Sequence, residues 1–475
     1  MSRLAAWQGL ARDRQPSMLG DAAVSLPRVG VVGGGLAGIA AALAAADGGA
    51  EVTLIERRQS LGGLTSSVRR NGLWFDNGQH VFLRCCTEYM SFLGRLGASD
   101  KVYLQPRLEV PVLAPGGKRS SIKRSGLPAP LHLVGALATY SFLSVRERLL
   151  STRAALGLLR LDPDDDKLDA VSFGDWLQRR GQSDRAIEVL WDLIALPTLN
   201  VSAREASLKL AAKVFRVGLL DRADAGDIGW SLVPLAELHG ASAMKALETA
   251  GVAVELGAAV SDVVQGERGI ATVVGGKRLG FDAVVVATPP RAAVGLGAYS
   301  SSAAVDRLGT SPIVNVHLLL DRRVTDLALA ACVDSPIQFV FDRTESSGLG
   351  SGQCLSISLS AAEAYIARGA RDLAREFFAA VGEIFPAARG AQLLDCVVTR
   401  ERAATFKAAP GTDSLRPVTA TKTPGVFVAG AWCDTGWPAT MEGAVRSGLG
   451  AAGQALGFLA GPVPGADREL EGAAR

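Results

Sequence analysis

Residues able to do chemistry gather at two places in this 475-residue chain. The first is Gly33-Gly34-Gly35-Leu36-Ala37-Gly38, followed about 20 residues on by the acid Glu56. Gly33 lets the chain turn sharply, Gly35 removes a Cβ from the path of a pyrophosphate, and Gly38 lets a helix and a strand pack closely. Glu56 offers a carboxylate to a ribose diol. The second is Asp76-Asn77-Gly78-Gln79-His80, held between Trp74-Phe75 and Val81-Phe82. Polar side chains this crowded between apolar ends read as the wall of a site. The plainer alternative is a turn in which Asp76 bonds its own backbone.

The elements that must position these residues are legible around them. Val29, Val31 and Val32 form a β-branched run before the glycines, an alanine-rich helix follows, and Val52 to Ile55 leads into Glu56. Strand, tight turn, helix, strand and acid in this order bind an adenine dinucleotide, whose phosphates face the free N–H groups at the helix start. Next come Arg57-Arg58 and then Leu61-Gly62-Gly63-Leu64. Such a glycine pair is foreign to simple nicotinamide folds and recurs beside the phosphates and ribitol of a flavin. The arginines suit either a 2′-phosphate of NADP or a solvated loop.

The run FDAVVVATPP (281–290) reads as a buried strand that returns the chain to the cofactor domain. A last strand passes through Gly430-Ala431 and a polar turn into a small-residue helix starting near Thr440. A helix start here can put backbone N–H groups beside the N1–C2=O edge of a flavin, where its dipole would favour the reduced anion by roughly 1–2 kcal/mol; the plainer alternative is an ordinary strand–helix unit.

Between these pieces, 87–96 and 371–384 have helical spacing, 102–122 looks like a meander, and helices fill much of 173–220 with a break at Pro197. A helix is expected over 234–248, a strand over 251–256 and a hairpin from Val260 to Val274. Ile313–Leu320, 338–341 and 354–359 read as strands of a substrate-side sheet. Leu127 to Leu143 is the most lipid-like stretch and is trailed by Arg146, Arg148, Arg153 and Arg160. It suits either a helix lying in a headgroup layer or a core helix. Asp162 to Asp169 contains one D-D-x-x-D, read as a solvated loop before a capping box at Ser172.

The chain is long enough for two domains and a large core. A net charge of +3 is too weak a bias to imply nucleic acid. The six cysteines contain no C-x-x-C and form no metal-ligand pattern with the four histidines. They read as idle thiols in a reducing cytoplasm, and no metal site is expected. The first 27 residues lack the apolar core of a signal peptide and are expected as a flexible leader, with a flexible tail over 461–475.

GGGLAG with Glu56, LGGLTSS, FDAVVVATPP and VFVAGAWCDTGWPATMEGAVRSG together resemble the FAD-dependent amine oxidase and phytoene desaturase superfamily. Within it, DNGQHVF with TEYMSFLGRLGA, and TGWPATMEGAVRSG, are most similar to the hydroxysqualene dehydroxylases. The resemblance implies an α/β fold: a discontinuous Rossmann-like FAD-binding domain (28–100, 234–293 and 396–460) with an inserted α+β substrate domain (101–233 and 294–395). It places Gly33, Gly34, Gly35, Leu36, Ala37 and Gly38 along the pyrophosphate and Glu56 with Arg57 at the adenosine ribose. Gly62, Gly63 and Leu64 fall beside phosphate and ribitol, Val260 at the adenine, Ala287 and Gly430 beneath the cofactor, and Thr440, Met441 and Glu442 toward the isoalloxazine. Relatives carry Gly-Asp where this chain has Gly430-Ala431, and Asp434 is the candidate replacement.

The implied reaction replaces an allylic C–OH by C–H, turning hydroxysqualene into squalene with hydride from reduced flavin. Hydroxide leaves poorly, so its oxygen needs a proton or a strong hydrogen bond; His80 is the expected acid, oriented by Asp76. The allylic cation left behind needs a dry pocket. At about 0.8 kcal/mol per CH₂-sized group, moving such a polyene into water costs on the order of 20 kcal/mol. The substrate is therefore expected to enter from a membrane surface near 127–160, by a cytoplasmic protein lying on the inner face. A homo-oligomer is compatible with this reading. A carotenoid-type desaturase, an amine oxidase and a non-catalytic prenyl-lipid escort remain the alternatives.

Overall fold

The computed structural model describes residues 26–266 and 269–461. The expected leader, apart from 26–27, and the expected tail beyond 461 lie outside them. At the centre is a five-stranded parallel sheet in the order Ala253–Leu256, Glu51–Glu56, Arg28–Val32, Ala283–Val286, Val426–Val428. Arg28–Val32 pairs on one side with Glu51–Glu56, Val31 opposite Leu54, and on the other with Ala283–Val286, Val31 opposite Val285. Its valines are buried because both faces of a parallel sheet are covered.

The helix Leu36–Asp47 is buried from Leu36 to Ala45, since alanine lets neighbours approach it from both sides. One neighbour is the last helix, Met441–Leu459. A Cβ on its Gly448 would lie 2.1 Å from the Ala37 carbonyl oxygen, so the two helices touch backbone to backbone.

The second body is a seven-stranded mixed sheet in the order Leu393–Thr405, Ser311–Leu320, Gln353–Leu359, Phe339–Asp342, Leu329–Cys332, Glu109–Leu113, Arg119–Lys123. Leu393–Thr405 crosses the boundary expected at 396: it pairs along Ser311–Leu320 to Thr405, so the chain leaves this sheet only after that residue. A three-stranded sheet of Phe82–Leu83, Ile228–Ser231 and Val102–Leu104 joins the two bodies. Buried Asp227 holds that joint by accepting from Arg84 Nε (2.9 Å), Arg124 Nε (2.6 Å) and the Leu108 N–H (2.7 Å).

Three local expectations change. The lipid-like stretch is not one helix: a turn at Leu131–Leu133 precedes the short helix Val134–Thr139, and Tyr140, Phe142 and Leu143 then dive into the core. Leu127, Leu131, Val134, Val145, Leu149 and Leu156 stay exposed along this turn and the following helix, Val145–Leu158. Pro197 does not break its helix, Asp192–Leu199, which stops at Asn200 in the left-handed conformation (φ 54°). Ser144 with Glu147 forms a reciprocal capping box, whereas Ser172 caps its helix through a single bond from the Asp175 N–H.

Candidate cofactor cradle and substrate pocket

The strand order reverses at Arg28–Val32, and there the glycines meet. Gly33 has φ 109°, and a Cβ on it would lie 2.4 Å from the Ala287 carbonyl oxygen. A Cβ on Gly38 would lie 1.8 Å from the Gly33 carbonyl oxygen. Gly35 precedes Leu36–Asp47 with no side chain capping the helix, so its first N–H groups are open to a ligand. Gly62 bridges to Gly35, its N–H donating to the Gly34 carbonyl at 2.9 Å, and a Cβ on Gly63 would lie 2.8 Å from Gly35 Cα.

Glu56 is buried at the end of its strand and accepts from the Gly34 N–H (2.6 Å) and the Arg58 N–H (2.7 Å). Arg58 donates to the Gly63 carbonyl at 3.0 Å, which closes this loop on itself, while Arg57 is exposed. The Ala258 N–H donates to the Glu56 carbonyl at 3.0 Å, which brings the start of the strand Val260–Gly266 to the same edge. The structure therefore brings Gly33 to Gly38, Glu56, Gly62, Gly63, Ala287 and the approach to the Val260 strand together at the strand-order reversal.

The C-terminal residues separate. Gly430 donates its N–H to Ser447 Oγ at 2.8 Å beneath the cleft. Thr440 caps the last helix, accepting from the Gly443 N–H at 3.2 Å and leaving the Met441 and Glu442 N–H groups at the helix start. The Glu442 side chain, however, points elsewhere. Its buried carboxylate accepts from the Tyr89 N–H (2.7 Å) and the Glu88 N–H (3.3 Å) and pairs with Arg446 (2.7 Å). It thus caps the helix Thr87–Arg95, whose own preceding residue, Cys86, makes no capping bond. Burial holds its carboxyl above the usual range.

Asp434 is exposed, accepts from the Gly436 N–H of its own turn at 3.0 Å, and lines a groove with Asp164, Lys209, Lys213 and Asp413. That hydrogen bond holds the Asp434 carboxylate to its own turn rather than to the Gly430-Ala431 segment. Two aspartates of the D-D-x-x-D loop are matched by cations, Asp166 by Lys209 (2.7 Å) and Asp164 by Lys213 (3.5 Å), while Asp169 accepts from Ser207 Oγ (2.7 Å). Among the described residues no group of side chains could hold a metal ion.

The second cluster surrounds a small cavity of about 10 Å³ lined by Asp76, Gln79, His80, Trp230, Ser231 and Arg343, among others. Its strongest tie was invisible in the sequence. Arg343 donates to Asp76 at 2.8 Å as a buried ion pair and to the Ser231 carbonyl at 2.7 Å. Asp76 also accepts from Ser67 Oγ (2.7 Å) and the Leu235 N–H (3.0 Å). Its oxygens are engaged by these groups and make no hydrogen bond to His80, which corrects the expected orienting role. Asn315 donates to the Asn77 carbonyl at 2.9 Å, fastening the turn to the seven-stranded sheet.

His80 follows Gly78, where a Cβ would lie 2.8 Å from His80 Nε2; the bare glycine leaves room for the ring. Burial lowers the His80 pKa to about 4, against the pull of the nearby Asp76 carboxylate. His317 is lowered to about 4 and His239 to about 3, in both cases chiefly by burial. The ring that sequence reasoning assigned as an acid is therefore neutral at pH 7. Sequence reasoning missed Arg343, His239, Tyr89 and His317. His239 Nε2 lies 2.7 Å from the Tyr89 hydroxyl, beneath the Gly62 loop.

A parallel sheet with two helix starts and a glycine pair at its strand-order reversal defines a dinucleotide-binding oxidoreductase fold. The comparisons then fix the family: the chain belongs to the flavin containing amine oxidoreductases, whose family model matches residues 36–456. It is 31% identical over 440 residues to hydroxysqualene dehydroxylase of Rhodopseudomonas palustris, covering 89% of this chain and 97% of that one. It is 26% identical over 477 residues to a probable zeta-carotene desaturase of Synechococcus elongatus, covering 90% and 98%. An oxidoreductase from Methanosarcina mazei shares the fold with a TM-score of 0.68 at 17% identity, covering 89% of this chain and 99% of that one.

The protein is an FAD-dependent oxidoreductase. Its residues fit FAD: the uncapped start of Leu36–Asp47 suits the pyrophosphate, the bare Gly35 leaves backbone open beside it, and the Glu56 carboxylate at the strand end is the acceptor type a ribose diol needs.

Proposed function

We propose that the enzyme carries out the reductive dehydroxylation of hydroxysqualene to squalene. The observation that carries this reading is the likeness to hydroxysqualene dehydroxylase along almost the whole of both chains. Bound FAD in its reduced form supplies a hydride. The chain's own residues hold the substrate, exclude water and handle the oxygen.

Trp230, Leu235, Val81 and Phe341 give the pocket an apolar wall, which keeps water from recapturing a cationic carbon. Neutral His80 acts as a hydrogen-bonding partner to the oxygen, and the Arg343–Asp76 pair fixes the turn that carries it. The zeta-carotene desaturase relatives favour a second reading, hydride removal from a hydrocarbon on the same scaffold. Anaerobic incubation of the reduced enzyme with hydroxysqualene, and of the oxidised enzyme with zeta-carotene, separates the two by product mass. Squalene from the first and no product from the second is the expected result; the reverse overturns the proposal.

The exposed Leu127, Leu131, Val134, Val145 and Leu149, with Arg146 and Arg153 close by in sequence, support peripheral docking on a membrane and direct lipid entry. No helix among the described residues is long and apolar enough to cross a membrane. Leu131→Asp with Leu149→Asp is expected to release the protein from anionic liposomes in a flotation assay. Undiminished flotation removes this surface from the account.

A further inference from the structure

Most polar groups in the wall of the Asp76–Arg343 pocket are satisfied. Asp76 is held by Arg343, Ser67 and Leu235; Arg343 reaches Asp76 and the Ser231 carbonyl; the Ser231 hydroxyl donates to the Val233 carbonyl. Two buried atoms stand out: Gln79 Nε2 and His80 Nε2 have no hydrogen-bond partner among the described residues, and both residues line this same enclosure. Leaving a buried polar atom unpaired is destabilising. Two such atoms in one pocket mark the place of a polar group that completes them.

Size narrows the choice. At about 10 Å³ the enclosure has room for about one water-sized group. It accommodates a hydroxyl, with the whole carbon skeleton of a thirty-carbon chain lying outside. The wall also discriminates chemically. An amide N–H and a neutral imidazole together match a hydroxyl, which accepts from one and donates to the other.

We propose that Gln79 and His80 form the subsite that receives the substrate's hydroxyl oxygen, and that this subsite selects the alcohol over the hydrocarbon of the same skeleton. The inference rests on the dehydroxylase reading and adds a specificity residue to it. Gln79 donates its side-chain N–H to the oxygen, and His80 accepts the hydroxyl proton in the resting complex. When the C–O bond breaks, the oxygen keeps the bonding pair, takes one proton originating in solvent, and departs as water. The carbon takes the hydride, so R–OH, hydride and proton become R–H and H₂O, and Gln79 is unchanged. A hydrocarbon in the same position leaves both side chains unpaired, which is how polar subsites reject analogues lacking the group.

The test measures affinities of the FAD-loaded protein for hydroxysqualene and for squalene in detergent, read by quenching of tryptophan fluorescence, since Trp230 lines the pocket. Wild type is expected to hold the alcohol about 10-fold more tightly than the hydrocarbon, the worth of about one hydrogen bond. Gln79→Met is expected to bring that ratio to about 1 with flavin content unchanged, and Gln79→Asn to fall between. Equal affinities in wild type overturn the subsite without recourse to any variant. An unchanged ratio in a folded Gln79→Met does the same. If wild type makes squalene yet shows no preference, the subsite fails and the dehydroxylase reading stands; if it makes none, both fall.

Discussion

The cofactor cradle and the substrate pocket lie one loop apart and are built in opposite ways. The cradle is made of missing side chains. Gly33, Gly35, Gly38 and Gly63 expose backbone; nearby carbonyls leave no space for a Cβ on Gly33, Gly38 or their neighbour Gly448, and the Gly35 Cα leaves none on Gly63. The pocket is made of buried side chains, Asp76, Arg343, Gln79 and His80, drawn from segments more than 250 residues apart and joined by hydrogen bonds. The first arrangement tolerates almost no substitution; the second invites it, because changing one partner changes what the wall prefers to bind.

That contrast can be broken experimentally. The largest effect is expected at the cradle. Gly38→Val forces a side chain to a point 1.8 Å from the Gly33 carbonyl and should abolish FAD binding together with soluble expression. A soluble, yellow Gly38→Val protein would show that the cradle is softer than its geometry implies.

Next comes Arg343→Met, which strands the buried Asp76 carboxylate and should cost about 3–5 kcal/mol, read as the urea midpoint at constant m. Adding Asp76→Leu should recover part of the loss. If the double variant is no better than the single, the pair is not what holds the pocket shut.

The histidines give a gentler test: burial lowers His80, His239 and His317 strongly, and His132 in the same direction. Their folded pKa values lie below the ordinary 6.5, so the unfolded chain binds more protons between the two values. Stability is then complete above about pH 6.5 and falls as pH drops toward 4, by up to about 1.4 kcal/mol per pH unit for each ring. His317→Gln should flatten that acid limb in a pH series of denaturation curves; an identical slope would assign the loss to carboxylates. The smallest effect is expected at Asp434→Ala, whose carboxylate serves its own turn. Flavin content should not change, and a colourless protein would restore Asp434 to the cradle.

The same contrast explains what the sequence disclosed. Glycine spacing is local: GGGLAG, the acid after it and LGGLTSS announce the cradle within 40 residues because a single turn of backbone dictates them. The pocket was half legible. DNGQH was recognisable as a wall, yet nothing near Arg343, after the strand Phe339–Asp342, says that its guanidinium crosses to Asp76. Ion pairs across a fold leave no periodicity behind. The partner of the Glu442 carboxylate was illegible for a related reason. An acid at a helix start looks like a ligand to that helix's surroundings, but its partner is a second helix start far away in sequence. The clue was Cys86, a poor capping residue before TEYMSFLGR, which made an outside acceptor necessary.

The Asp76–His80 turn has one further consequence, for engineering. Although this segment follows directly from the glycine loop, Asn315 and Thr399 of the seven-stranded sheet hold its carbonyls and Arg343 holds its acid. A chimera that swaps only the inserted module with that of a desaturase relative would orphan these tethers. Any transplant that aims to change which lipid is processed must carry residues 64–80 along with the graft.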